Sequence, residues 1–312
     1  MAKKKDADEE YLLHHKSHIK LGASDLFIRG FGYVFVTLFA ALCVFPFLLI
    51  IGTSFSLESD VTKYGITAWP RHFSVQAYQL LFRFPQTMIN SYLLTIILTA
   101  TGTVCGLFII SMPGYALQRK DFPFRNGISF MIYFTTLFSG GLVATYLLYT
   151  KILNLRDNYL AIWFPNLMSA WLIILMKNFV RSIPFEITES GKIDGAGDFR
   201  IFRSLILPML KPGLATIGLF LALGYWNEWY NASLYLSSRV DVKPLQYQLY
   251  NVINTANALK NSVAGANVTV TDLPTMTLKM ATAVVATGPI IFVYPFVQKY
   301  FISGITVGAV KG

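Results

Sequence analysis

Residues 177–211, KNFVRSIPFEITESGKIDGAGDFRIFRSLILPMLK, lie between two apolar runs and govern how the rest of the chain is read. Residues 158–176 before them and 212–227 after them carry no Asp, Glu, Lys or Arg. The stretch itself has an internal grammar. Pro184 suits the first turn of a helix, with Glu186 and Glu189 near the positive end of its dipole. Gly191, Gly195 and Gly197 then interrupt, and Asp194 or Asp198 is placed to cap a second helix. That second helix carries Phe199, Phe202, Leu205 and Ile206 at helical spacing, with Arg200 and Arg203 between them, and ends near Pro208. Two short helices with an apolar stripe and a charged rim describe a docking surface or an amphipathic element lying on a membrane.

Working outward, the charge-free runs are 30–57, 84–118, 126–150, 158–176, 212–227 and 280–298. A helix crossing the hydrocarbon core needs roughly 20 predominantly apolar residues. The fifth run stops at Glu228, but the apolar pattern resumes through Trp229, Tyr230 and Ala232 to Leu236, so the helix is expected to continue past the acid. The second is too long for one span, and Pro113-Gly114 marks where its membrane part is expected to give way to an extension. The expected fold is an all-α polytopic membrane protein with six spans: a tail over 1–29, a membrane domain over 30–301, and a tail over 302–312.

Composition agrees. Of 312 residues 54% are hydrophobic and 13% charged, with mean hydropathy +0.51, against about 25% charged in soluble chains. This excludes a disordered chain, a disulfide scaffold and an ordinary cytosolic enzyme. The net charge of +10 would suggest nucleic acid in a soluble protein, but here the basic residues sit between apolar runs. With the N-terminus placed inside, 17 of the 26 Lys and Arg fall on the cytoplasmic side, which predicts both termini cytoplasmic and no nucleic-acid partner. The first apolar run is longer than the core of a cleaved signal and reads as an uncleaved anchor, and Lys3-Lys4-Lys5 before it reads as an orienting tail. Cys43 and Cys105 fall within apolar runs as small hydrophobes, and the four histidines, His14, His15, His18 and His72, have no metal-ligand spacing. Two external segments stand out, 58–83 and 237–279. Within the second, Leu245, Leu249, Val252, Ile253 and Ala256 fit either a docking helix or a frayed loop.

Glu189-Ser190-Gly191, Gly195, Leu205, Leu207 and Pro208 match the spacing of the EAA loop, E-A-A-x3-G-x9-I-x-L-P. That loop belongs to the membrane subunits of bacterial ABC importers, which the chain resembles. Ser190 and Gly191 replace the two alanines and Leu205 the isoleucine, and a glycine weakens a helix interior by roughly 1 kcal/mol. The likeness extends through Gly114-Tyr115-Ala116-Leu117, Phe138-Ser139-Gly140-Gly141-Leu142, Ile193-Asp194-Gly195-Ala196 and the ending Gly308-Ala309-Val310-Lys311-Gly312. These runs are similar to carbohydrate-uptake permeases, the maltose-type second permease and the Gram-positive complex-oligosaccharide permeases.

The resemblance implies the type I importer permease fold and several partners: a second homologous permease, a dimeric ATP-binding subunit, an extracellular solute-binding protein and a sugar, probed within a lipid membrane. It implies no cofactor bound by this chain, with ATP and Mg used by the partner ATPase. The sequence contains no G-x4-G-K-[ST] phosphate loop. Contact with the ATP-binding subunit is expected at Glu189, Ser190, Gly191, Asp194, Gly195, Phe199 and Phe202, with a weaker second contact through the C-terminal tail. The sugar path is expected at Tyr225, Asn227, Glu228, Trp229 and Asn231, with Tyr146, because sugars offer apolar ring faces and hydroxyl edges to aromatics and amides. The aromatics also suit a membrane-interface belt, whereas Glu228 at membrane depth calls for a cavity or a partner. Asn166, Trp171, Thr145 and Tyr149 are further candidates for the path, with helix packing as the competing reading, and Gly140-Gly141 fits close helix packing. An ion-coupled transporter would favour paired intramembrane charges and internal repeats; Glu228 stands by itself, and the halves show no repeat. A membrane scaffold or sensor is the remaining class.

Overall fold

The computed structural model describes residues 23–237, 240–264 and 274–309. Among these the chain is mostly helical, with a single isolated antiparallel bridge, Ser56 to Phe73. The N-terminal tail to residue 22, the 265–273 part of the second external segment and residues 310–312 lie outside the described residues.

Two apolar runs form uninterrupted helices long enough to cross a membrane: α1 (Ala23–Ser54) and, after the short α2 (Glu58–Tyr64) and α3 (Gln76–Leu81), α4 (Pro85–Ala116). Pro113 lies inside α4 and does not end it. A proline three residues from the end removes only one backbone bond, and Gly114 beside it admits Met176, whose Cγ would stand 2.5 Å from a Cβ at that position.

The other runs bend. α5 (Arg125–Leu137) and α6 (Gly141–Leu147, prolonged by a π-helical turn over Leu148–Ile152) meet at 112°. Gly140-Gly141 makes this corner instead of a close helix contact: Gly141 has φ +82°, and a Cβ there would meet open space. α7 (Leu160–Leu167) and α8 (Ala170–Arg181) are inclined at 41°. The 177–211 stretch holds α9 (Glu186–Ile193) and α10 (Asp198–Ile201), the latter continued by a π-turn over Phe202–Ile206 and by α11 (Leu207–Met209). α12 (Lys211–Trp226) then leaves at 84°. The backbone breaks at 227–229 and resumes as α13 (Tyr230–Tyr235), so the apolar run expected to continue past Glu228 is a broken helix and not a continuous one. α14 (Leu245–Ala264) resolves the external alternatives in favour of a helix: Leu245, Leu249 and Ala256 are buried with Leu81, Met88 and Leu278. α15 (Met276–Ala309) runs on past residue 301, through most of the stretch expected as a C-terminal tail.

α4 is the central post. α12 and α8 pack along it, while α15 packs against α1 and α12. Small residues set the close approaches. The Tyr225 ring lies where a Cβ of Gly102 would be, at 2.3 Å, and Leu221 sits at 2.9 Å from the corresponding point on Gly106. Farther along, Phe179 seats against Gly213 at 2.7 Å. Glycines thus let side chains of one helix interlock with the backbone of the next.

Candidate functional site

The chain offers two sites, at the two ends of α12. The first is the 177–211 connection. Its second helix buries Ile201, Phe202 and Ile206 in the same apolar core as Ile110, Tyr115, Met176 and Ile217 of α4, α8 and α12. The expected stripe is therefore rotated: Phe202 and Ile206 point inward, but Phe199 and Leu205 are exposed. The π-turn causes this. Leu207 donates its amide to the Phe202 carbonyl five residues back, since Pro208 beyond it has no amide to give. The Phe202 ring packs tilted against Tyr115 with centroids 5.5 Å apart.

α9 is joined to this body through Gly191, where a Cβ would stand 3.0 Å from both Ile201 and Leu205. The glycine that replaces the motif's alanine is thus the contact on which the two short helices cross. Gly195 adopts φ +75° and turns the chain between them. Neither Asp194 nor Asp198 caps with its side chain: Asp194 follows the last turn of α9, and Asp198 opens α10. The tip stands clear of the bundle, with Ile193 85% exposed and Glu189, Ser190, Asp194, Gly195 and Phe199 exposed around it. Ser190 bonds only back to the Ile187 carbonyl, at 3.0 Å.

Charges fasten the connection to the end of α4. Arg119 donates to Asp121 at 2.9 Å and pairs with Asp198, while Lys192 of α9 pairs with Asp121. The hydrogen bond from Arg119, then that from Lys192, hold the Asp121 carboxyl well below the usual carboxylate range. The Asp121 bond likewise raises Arg119 further above its ordinary value. These groups wall a cleft of about 590 Å³ with Met112, Phe122 and Phe199.

The second site surrounds Glu228, which is only 7% exposed. Its carboxylate accepts from the Asn166 side chain at 2.6 Å, and from the Asn231 backbone and side-chain amides at 2.8 and 2.9 Å. The carboxylate thus bridges the break in the fifth span: it anchors the start of α13 and ties it to α7. Asn166, read from sequence as either a path residue or helix packing, is its partner. Of the other expected path residues, Tyr225 is buried against α4 and donates its hydroxyl to the Trp163 carbonyl at 2.8 Å. Trp229 packs tilted against Tyr250 at 5.0 Å, Asn227 accepts from Gln246 at 3.2 Å, and Tyr146 stacks on Tyr235 at 5.9 Å. Glu228 and Asn231 are thus brought together, and Trp229, Asn227 and Tyr146 face separate neighbours.

Sequence reasoning missed Glu58. It is buried, and accepts the backbone amides of Met276 and Thr277 at 2.9 Å and the hydroxyls of Thr275 and Thr277 at 2.9 and 2.8 Å. Burial pushes its carboxyl upward, but these four bonds outweigh it and hold the pKa below the ordinary value. It satisfies the first amides of α15 from more than two hundred residues away, so nothing local in the sequence signals it. An apolar cleft of about 500 Å³ between α4, α12 and α15 is also new, with the buried hydroxyls of Thr99 and Thr103 unpaired on its wall. Among the described residues there is no cluster of three or more His, Cys, Asp or Glu placed to hold a metal.

A helical membrane protein with broken spans and a separately folded connection between two of them belongs to the class of transporter membrane subunits. Residues 158–307 match the family described as binding-protein-dependent transport system inner membrane component. The chain is 37% identical over 280 residues to the polygalacturonan/rhamnogalacturonan transport system permease YtcP of Bacillus subtilis, covering 90% of this chain and 96% of that one. It is 35% identical to LplC of the same organism, over 92% and 93% of the two chains. A crystal structure of a bacterial ABC transporter involved in the import of the acidic polysaccharide alginate contains a chain that superposes with TM-score 0.71 at 31% identity, covering 90% of this chain and 98% of that one. The chain belongs to this family, as a carbohydrate-uptake permease subunit of an ABC importer.

Proposed function

We propose that this subunit forms half of the membrane path for an oligosaccharide rich in uronic acids, and that the 177–211 connection receives the work of ATP hydrolysis. The observation that carries the second part is the build of the connection: an exposed tip at Ile193–Gly195 carried on a second helix rooted in the bundle core. Such a surface suits a partner that pushes on it. A soluble loop with no load would not need Ile201, Phe202 and Ile206 buried beside α4 and α8.

In this reading the connection is cytoplasmic and meets one half of a dimeric ATP-binding subunit, which uses ATP and Mg; this chain binds no cofactor. Glu189, Ser190, Asp194, Gly195 and Phe199 face that partner, while Gly191 and Phe202 hold the connection in shape behind them. A second, homologous permease completes the path, and an extracellular solute-binding protein delivers the sugar. Both termini are cytoplasmic. Six crossings are supported by α1, α4, the bent pairs α5–α6 and α7–α8, α12 with α13, and the apolar first part of α15, Met276–Ile291. Glu228, Asn231, Trp229, Asn227 and Tyr146 border the path toward its external half. Tyr225 acts behind them by seating α12 on α4.

The acidic sugar is supported by what YtcP and the alginate importer are described as carrying, since both are uronate polymers. Uptake of labelled oligogalacturonides by cells with and without this chain tests it, with maltodextrin as the neutral control. Uptake of the uronate that depends on the chain is expected. Equal uptake in both strains, or dependence seen with maltodextrin alone, would overturn the assignment.

A further inference from the structure

The surface of the connection explains how a partner could push on it, but not what keeps it from folding back instead of moving the membrane helices. α9 and α10 are joined to each other through Gly195 and Gly197, each with open space around a Cβ. A push at the tip would be absorbed there unless both short helices were held from behind.

Beyond the burial of Ile201, Phe202 and Ile206 and the contact at Gly191, each helix is held by one charged bond. Lys192 on α9 pairs with Asp121, and Asp198 on α10 pairs with Arg119. Arg119 and Asp121 lie two residues apart in the turn that follows α4 and bond to each other at 2.9 Å, so the two attachments share one anchor. The Arg119 side chain is only 12% exposed and lies over the Tyr115 ring at 5.8 Å, which fixes the anchor to the last turn of α4. From there α4 continues as an unbroken helix, rising about 21 Å from Ala116 back to Gly102. At Gly102 it interlocks with Tyr225, three residues before Glu228. The ion pairs, α4 and the Tyr225 contact form one physical chain between the two sites.

We propose that Arg119, Asp121, Lys192 and Asp198 are positioning residues that clamp the connection to α4, so that the two move together through the transport cycle. The clamp rests on the reading of 177–211 as the point where ATP-driven work enters. It adds that the motion is delivered into α4 through these four side chains, which stay paired throughout.

The test uses the whole importer, purified through a tag on this chain and placed in lipid nanodiscs. Cys43 and Cys105 are replaced by serine, and spin labels are attached to Trp69→Cys and Asp241→Cys, both exposed and remote from the clamp. The first reports the α1 end, since residues 67 and 68 pack on Gly52, and the second reports the region after α13. The distance between the labels is measured by double electron–electron resonance with and without Mg-ATP and vanadate, so no sugar need be known. With the clamp intact the distribution shifts on nucleotide binding. In Lys192→Ala with Asp198→Ala the ATP-binding subunit still co-purifies and hydrolyses ATP, yet the shifted population falls about tenfold. Arg119→Lys, which offers one point charge in place of a fork, gives an intermediate shift.

A full shift in the double alanine variant would overturn the clamp. Should that variant fail to assemble, Lys192→Gln with Asp198→Asn, which keeps polar side chains and removes both charges, decides the matter. The shifted population is expected to fall there too, and a full shift would overturn the clamp. The underlying reading fails separately, if Gly195→Val with the clamp intact retains both the ATP-binding subunit and the full shift.

Discussion

Acidic side chains organise both ends of α12, and they are satisfied in opposite ways. At the 177–211 end Asp121 and Asp198 meet Arg119 and Lys192, and three of those four side chains are 39% to 64% exposed. At the other end Glu228 is buried, and its described bonds come from the neutral amides of Asn166 and Asn231. An exposed ion pair contributes roughly 0–1 kcal/mol and can be broken without unfolding the protein. A buried carboxylate must have its donors, and removing it strands them at roughly 1–3 kcal/mol each. The wet end therefore suits a surface that engages a moving partner, and the buried end suits a break in a helix that has to keep one shape.

That contrast predicts a graded series. Glu228→Leu has the largest effect, because it leaves the Asn166 and Asn231 donors unpaired at roughly 1–3 kcal/mol each. Loss of folded protein is expected in detergent thermal-shift measurements, with Glu228→Gln milder because its amide oxygen keeps one of the two acceptor positions. Asp198→Asn, at the exposed end, should leave the melting temperature nearly unchanged. A large destabilisation by Asp198→Asn and none by Glu228→Leu would reverse the comparison.

Gly102→Val comes next. Its Cβ would fall 2.3 Å from the Tyr225 ring, and overpacking of this kind costs roughly 1–3 kcal/mol. Because the ring is buried, a lowered melting temperature is expected, with Gly127→Val, where a Cβ meets open space, as the harmless counterpart.

Glu58 extends the comparison to pH. Its folded pKa is lowered, so its contribution to stability is present above the ordinary glutamate value of about 4.3 and is lost as pH falls through the folded value. Glu58→Gln should melt below the unaltered chain at neutral pH, and the gap should close on acidification. A gap that widens in acid would show the sign to be wrong. The smallest effect is expected for Ser190→Ala, within roughly 0.5 kcal/mol, because the exposed hydroxyl bonds only within its own helix turn.

How much of this was legible in the sequence follows the range of each interaction. The apolar runs, the helix–glycine–helix form of 177–211 and the oddity of Glu228 depend on residues near one another, and all could be read. The corner at 138–140 was misread because Gly140-Gly141 is equally compatible with close packing, and only the backbone, with φ +82° at Gly141, decides between them. The rotated stripe of α10 depends in its second half on a π-turn, which adds a residue to the repeat and carries Leu205 outward while Ile206 remains inside; Phe199 lies ahead of that turn and faces out beside the buried Ile201 and Phe202. The role of Glu58 could not be found, since its partners begin 217 residues away, and Asn166 could be picked out as a polar group in an apolar run but not as the partner of Glu228, 62 residues on. The close approaches at Gly102, Gly106 and Gly213 were equally silent, because a glycine in an apolar helix does not name the side chain that will lie against it.

Gly195→Val tests most directly whether the 177–211 connection carries ATP-driven work. The residue lies at the tip with φ +75°, where a β-branched side chain is strained, and it is exposed and remote from the buried contacts. Membrane level of the chain, co-purification of the ATP-binding subunit and oligosaccharide uptake are measured together in the same cells. The account predicts a normal level of inserted chain, with partner recovery and uptake both lost. Normal uptake by this variant would contradict it.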